Sequence, residues 1–307
     1  MEYKEKYTLI ILGPTGVGKS ATAIRIAKRF NGEILSCDSM QVYRGFDIGT
    51  DKIPAQRRED IPHHLLDILE PSEQFTAAEF SKRAVAAIRS ILQRNKLPII
   101  AGGTGLYLKA LIHGLFPEGK REPQLRERLQ AEAENKGLEV LWEKLMKVDP
   151  KYAQKIGKND RVRIIRALEV FTATQKPISQ HFLNTKSTVS DFNIIRIGLK
   201  LDRDVLYKRI EDRIDVMFER GIVEEVQRLL ESGVDEKAPP FRALGYKQVM
   251  KYIKNETTLE EAVQSTKTAT RHYAKRQMTW FKKMEGIQWF SPHDISSITK
   301  YVAEKLK

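Results

Sequence analysis

Eight consecutive residues, Gly13-Pro14-Thr15-Gly16-Val17-Gly18-Lys19-Ser20, match the pattern G-x-x-x-x-G-K-(S/T) at every fixed position. Each residue type has a physical task. The glycines let the backbone turn so tightly that several N–H groups point into one concavity. A helix starting there adds a partial positive charge at its N-terminus. Lys19 neutralises phosphate oxygens, and the Ser20 hydroxyl can ligate Mg²⁺. The loop therefore grips a di- or triphosphate. It does not name the rest of the ligand, because a diphosphate on any small organic group fits as well as a nucleotide.

Other residues could complete a reaction there. Asp38 closes one apolar run and Thr104 follows another. In a parallel sheet such positions face the same crevice as the phosphate loop. A carboxylate at Asp38 could take a proton from an incoming nucleophile, hold Mg²⁺ or cap a helix. Arg209 and Arg213 are four residues apart in a helical stretch, so they share a face that suits a phosphate, or ordinary ion pairs with Glu211 and Asp215. Residues 270–283 contain no acidic residue, and their Arg and Lys side chains alternate with Tyr273, Trp280 and Phe281. That composition suits nucleic acid, with cations for phosphates and aromatics to stack or to dock the helix. It also suits an amphipathic helix with solvated lysines. Arg163 and Arg166 form a second basic patch. His63 and His64 are adjacent without a partner at metal-ligand spacing and read as polar-network residues.

The elements that must position these groups are legible as periodicities. Tyr7–Leu12, Glu33–Cys37, Leu97–Ala101 and Ile194–Leu199 are short apolar runs, the pattern of buried parallel strands. Helices are expected after Gly18 and over Thr76–Gln93, where Phe80, Ala84, Ile88 and Ile91 share a face and Thr76 with Glu79 forms a capping box. Alternating strands and helices imply a parallel sheet with helices on both faces. The texture changes near Pro117-Glu118-Gly119-Lys120, after which the chain is charged and helical. The expected fold is an α/β, P-loop NTPase-like parallel sheet flanked by helices, spanning residues 1–118 and 193–307, with an all-helical insertion domain over 119–192.

Composition narrows the partner. Lys and Arg total 53 and Asp and Glu 40, a net charge of +13 that favours a polyanion, nucleic acid before membrane. No apolar run approaches the ~20 residues of a membrane span, and Met1–Lys6 leads into a strand without a signal-peptide pattern. The single cysteine, Cys37, excludes an internal disulfide and a cysteine-rich zinc site and fits a reducing cytoplasm.

Taken together, the ordered motifs resemble one family, the tRNA dimethylallyltransferases. Its carriers are the phosphate loop, residues 38–45, Asp47-Ile48-Gly49-Thr50, Pro62-His63-His64-Leu65, Gly102 to Tyr107, Arg166 to Val170, Gly245-Tyr246 and Lys275-Arg276-Gln277. The resemblance covers nearly the whole chain. It implies transfer of a dimethylallyl group from dimethylallyl diphosphate to N6 of adenosine 37 in tRNA, with Mg²⁺ assisting departure of diphosphate. The loop would hold the donor's diphosphate rather than ATP, and the base would be flipped out of the anticodon loop. By position, Asp38 matches a general base, Thr104 a residue beside the target nucleotide, and Arg213 an arginine on the departing diphosphate. Asp38, Ser39, Met40, Gln41, Thr104, Arg126, Val162, Arg163, Arg166, Arg242, Gly245, Tyr246, Lys247, Lys275, Arg276, Gln277 and Lys282 match tRNA-contacting positions. The insertion would clasp the anticodon stem-loop, and a cytoplasmic monomer of the bacterial type, lacking a zinc-finger extension, is expected. Gly16-Val17 stands where family members often have Ala-Ser, and Ser20 where many have Thr; both keep the loop chemistry. An adenylate isopentenyltransferase or a P-loop small-molecule kinase would share the loop, but neither needs the basic stretch at 275–283.

Overall fold

Short apolar runs that end at turns become strands, and segments with a 3.6-residue apolar period become helices. The computed structural model describes residues 6–115, 123–183, 185 and 187–307. Strand β1 (Tyr7–Leu12) leads into α1 (Lys19–Phe30), β2 (Gly32–Cys37), β3 (His63–His64), α2 (Ala77–Gln93), β4 (Leu97–Gly102) and α3 (Gly105–His113). Helices α4 (Pro123–Lys136), α5 (Leu138–Val148), α6 (Pro150–Lys155), α7 (Arg161–Thr174) and α8 (Ile178–Leu183) precede β5 (Asn193–Leu199). The last segment holds α9 (Arg203–Glu219), α10 (Ile222–Glu231), α11 (Tyr246–Ile253), α12 (Leu259–Phe281), β6 (Gln288–Phe290) and α13 (Ile295–Lys305).

The strands form one parallel sheet in the order β3-β2-β4-β1-β5-β6. Leu9 of β1 aligns with Ile99 of β4 on one side and Ile195 of β5 on the other. Strands β1 and β2 are buried along almost their whole length, as helices on both faces require. Leu9, Ile11, Ile34, Ile99 and Ile197 share a core with Ala23, Ile26 and Ala27 of α1 and with Ile210 and Ile214 of α9. Helix α2 packs against β2 and β4 with Phe80, Ala84, Ile88 and Ile91 buried. Only half of its expected capping box forms: Thr76 Oγ1 accepts from Glu79 N at 3.1 Å, while the Glu79 carboxylate pairs with Arg83 at 2.7 Å.

Two edge strands escaped the periodicity. β3 and β6 have two and three residues, too few to establish an alternation. His63 and His64 therefore lie in the sheet, where His63 Nδ1 meets Ile61 O at 2.8 Å and His64 Nε2 meets the buried Glu33 carboxylate at 2.7 Å.

The chain divides into two compact units, Met1–Leu111 with Val189–Lys307, and Ile112–Thr188. The second unit begins and ends a few residues before the insertion expected at 119–192, and the expected boundary at 118/119 lies outside the described residues. Its core draws Leu125 and Leu129 from α4, Leu141 and Leu145 from α5, and Ile164, Ile165 and Leu168 from α7.

Candidate active site and nucleic-acid interface

The phosphate loop occupies the turn between β1 and α1. Gly18, at φ 102°, is the N-cap of α1. Gly16, at φ 79°, sits where an added Cβ would come 2.9 Å from Ile210 of α9, so both conformation and space demand glycine. Lys19 Nζ donates to Pro14 O at 2.8 Å. Its ammonium is buried, and that burial, with the neighbouring Arg213 guanidinium, pushes its pKa down to about 8 against the opposing pull of Asp38 and Asp51. The charges of Asp38, Asp51 and Arg213 thus all act on this one lysine. Arg213 Nη1 pairs with Asp51 Oδ2 at 2.9 Å. Ser20, on the first turn of α1, is exposed. Arg209, one turn before Arg213, brings Nη2 to 3.7 Å from the position of a Gly18 Cβ.

Asp38 follows β2 directly. Its Oδ1 accepts from the backbone N–H of Met40 at 2.8 Å and of Gln41 at 3.3 Å, while Oδ2 has no partner among the described residues. The carboxylate is thus oriented through one oxygen and open at the other. Gln41 fixes the next segment: its Oε1 accepts from Ser36 Oγ at 2.9 Å and its Nε2 donates to Thr50 O at 3.1 Å. Two buried charges hold that segment from below. Lys52 Nζ donates to Tyr43 O at 2.9 Å, Asp47 Oδ1 at 2.5 Å and Asp67 Oδ1 at 2.6 Å, which uses all three of its protons. Glu225 of α10 accepts from the backbone N–H groups of Asp47 (3.2 Å), Ile48 (2.8 Å) and Gly49 (3.4 Å) and from the Tyr246 hydroxyl (2.5 Å). Burial and the facing Glu225 carboxylate hold the Tyr246 phenol in its protonated form far above the usual range. Glu225 and Lys52 were not singled out from the sequence. The signal for Glu225 was an acid on the apolar face that Ile222 and Val226 define.

Helix α12 closes the other side. Gln277 Oε1 accepts from Thr15 N at 2.8 Å and its Nε2 donates to Gly103 O at 2.8 Å, so one amide ties the phosphate loop to the turn before Thr104. The Thr104 Oγ1 is buried and has no partner among the described residues. Tyr273, one turn before Gln277, lies near Asp38; burial and that carboxylate push its phenol up to about 12.

The positions expected to contact tRNA divide into two groups. Arg242, Lys247, Lys275, Arg276 and Lys282 are exposed and have no carboxylate partner among the described residues. Gly245, Tyr246 and Gln277 are buried. Tyr246 and Gln277 face inward because each satisfies buried polar groups that water cannot reach. In the second unit, Arg126 and Arg166 converge on the buried Glu169 at 3.6 and 3.4 Å. Arg163 pairs with Asp160 at 3.3 Å, and Val162 is exposed. Among the described residues no group of three His, Cys, Asp or Glu could hold a metal, and no helix is long and apolar enough to cross a membrane.

Comparison with known proteins places the chain in one family. A family model described as IPP transferase matches residues 41–284. The tRNA dimethylallyltransferase of Acetivibrio thermocellus is 46 % identical over 96 % of this chain and 94 % of its own. That of Halalkalibacterium halodurans is 42 % identical over 99 % and 98 %. Among solved structures, the tRNA isopentenylpyrophosphate transferase of Bacillus halodurans has a TM-score of 0.73 at 40 % identity, covering 98 % of this chain and 97 % of its own. A eukaryotic dimethylallyltransferase acting on tRNA reaches a TM-score of 0.82 at 34 % identity, covering 98 % of this chain and 77 % of its own. A phosphate loop with an open carboxylate beside it is therefore set in a chain that belongs to the IPP transferase family, among prenyl-transferring enzymes named tRNA dimethylallyltransferases.

Proposed function

We propose that the protein transfers the dimethylallyl group of dimethylallyl diphosphate to N6 of adenosine 37 in the anticodon loop of tRNA. The observation that carries this reading is the Asp38 carboxylate, open at Oδ2 and acting with Asp51 and Arg213 on the charge of Lys19, in a chain whose relatives are named tRNA dimethylallyltransferases. The diphosphate occupies the loop Gly13 to Ser20, where backbone N–H groups, the α1 N-terminus and Lys19 meet its charge. N6 attacks the allylic carbon, the carbon–oxygen bond breaks, and its electron pair leaves on diphosphate. The N6 proton passes to Asp38, whose Oδ2 is unpartnered while Oδ1 is held by two backbone donors. Arg213 and Lys19 stabilise the charge that develops on the leaving group.

Mg²⁺ suits this donor set. The Ser20 hydroxyl, exposed on the first turn of α1, is a hard oxygen donor, and no protein cage of three ligands is present among the described residues. Mg²⁺ is commonly held by one or two protein oxygens plus substrate phosphates. When bound, it would neutralise charge on the departing diphosphate. Lys275, Arg276 and Lys282, exposed and without a carboxylate partner among the described residues, take tRNA phosphates, and the Arg126–Arg166 cluster of the insertion, two cations on the one carboxylate of Glu169, does the same. The test is incubation with labelled dimethylallyl diphosphate and, separately, unmodified tRNA, AMP and ATP. Label is expected in tRNA alone; label in AMP but not in tRNA would overturn the reading.

A further inference from the structure

We propose that Asp51 is the positioning residue for Arg213: its counter-ion in the free enzyme, and the group that the donor's diphosphate displaces from it. This rests on the reading that Arg213 meets the diphosphate, and adds what sets that arginine and what it must give up. Helix α9 lies against the phosphate loop. An added Cβ at Gly16 would come 2.9 Å from Ile210, and Arg209 Nη2 lies 3.7 Å from the position of a Gly18 Cβ. Arg213 is one turn further along the face that carries Arg209. The two arginines differ in their pairing. Arg209 has no carboxylate partner among the described residues, whereas Arg213 Nη1 pairs with Asp51 Oδ2 at 2.9 Å.

Asp51 is mounted to hold that pair. On one side Thr50 Oγ1 donates to Phe46 O at 2.7 Å and Thr50 O accepts from Gln41 Nε2 at 3.1 Å. On the other the buried Lys52 is fixed by Tyr43, Asp47 and Asp67. Asp51 itself turns the chain at φ 52°, in the left-handed region that Asp and Asn tolerate better than most residues. Its backbone is therefore anchored while its side chain is half exposed, so water can take up the carboxylate when the guanidinium leaves. Charge gives the direction of the exchange. Arg213, Asp38 and Asp51 all act on Lys19, which makes two charges of each sign. The cations of the free enzyme are thus already matched. A diphosphate carries more charge than one carboxylate, so it can replace Asp51 with a phosphate oxygen on the guanidinium. When diphosphate departs as product, Asp51 takes the arginine back.

The experiment compares wild type, Asp51→Asn and Asp51→Gly, two replacements that accept the left-handed turn. Asn keeps an oxygen for the guanidinium and loses the charge; Gly loses both. Inorganic pyrophosphate, titrated by calorimetry without Mg²⁺, should bind roughly 3- to 10-fold more tightly to D51N, because no carboxylate competes for Arg213. A merely structural Asp51 would give no such gain. The turnover number on unmodified tRNA should be about fivefold or more lower in D51G than in D51N, since only Gly leaves Arg213 unplaced. If D51G does not fold, the pyrophosphate comparison with D51N still decides. Pyrophosphate affinity in D51N equal to or below wild type, a loss of affinity in D51N that appears only with Mg²⁺, or equal turnover numbers in the two variants would overturn the proposal. A wild-type protein that binds pyrophosphate but transfers no label to tRNA would overturn the functional reading and leave the pyrophosphate comparison standing.

Discussion

Raising the pH should weaken the grip on diphosphate at an alkalinity where an ordinary surface lysine stays charged. Burial and the Arg213 guanidinium bring Lys19 to about 8. Simple titration then leaves roughly 90 % of ligand-free molecules charged at pH 7 and roughly 10 % at pH 9. A bound diphosphate reverses the balance, because an adjacent anion favours the ammonium. The effect therefore belongs to the free enzyme. Above pH 8, kcat/KM for dimethylallyl diphosphate should fall about tenfold per pH unit, while kcat at saturating donor holds to higher pH. The Kd for inorganic pyrophosphate, measured by calorimetry without RNA, should weaken with the same slope. Stability changes in the opposite sense. The folded pKa lies below the unfolded one, so between about 8 and 10.5 the unfolded chain binds more protons and the ligand-free fold gains stability as pH rises. Lys19→Arg supplies the control: it remains charged throughout, so the slope should disappear even if the absolute affinity drops. Pyrophosphate affinity that is flat from pH 7 to about 9.5 in wild type, or a slope that survives in Lys19→Arg, would refute the reasoning.

Two further perturbations probe how the site is held. Gln277→Leu strands the Thr15 N–H and the Gly103 carbonyl, each bonded to the amide at 2.8 Å. The expected loss is roughly 2–4 kcal/mol in a denaturant titration, with weaker pyrophosphate binding; a variant of wild-type stability would show that water replaces the amide. Gly49→Ala would place a methyl 2.6 Å from the ring of the fully buried Tyr246. Overpacking of this kind costs about 1–3 kcal/mol. The segment carrying Asp47 to Asp51 would shift, so both Tm and turnover should fall; an unchanged turnover at lowered Tm would separate this loop from catalysis.

What could be read from the sequence and what could not divides along contact range. The phosphate loop, β1, β2, β4 and β5, α1 and the Thr76 cap on α2 depend on neighbouring residues: a glycine pattern, an apolar run, a helical period. Their chemistry is local, so their residue types announce them. Asp38 and Thr104 follow by one more step, since parallel strands deliver their carboxyl ends to one crevice. The remaining parts are long-range. Thr15 and Gln277 are separated by 262 positions, and no pattern along the chain says that this glutamine turns inward while Lys275 and Arg276 turn outward. Glu225 stands out only as an acid on an apolar helix face, and what it holds is unknown until three backbone N–H groups of residues 47–49 are found around it. The sequence by itself determined the phosphate-loop motif and the class of fold, and its charge pointed to a polyanionic partner. Only the tertiary structure decided which polar residues are consumed in holding the site together and which remain free to act, because a buried hydrogen bond depends on what two distant segments bring to one place.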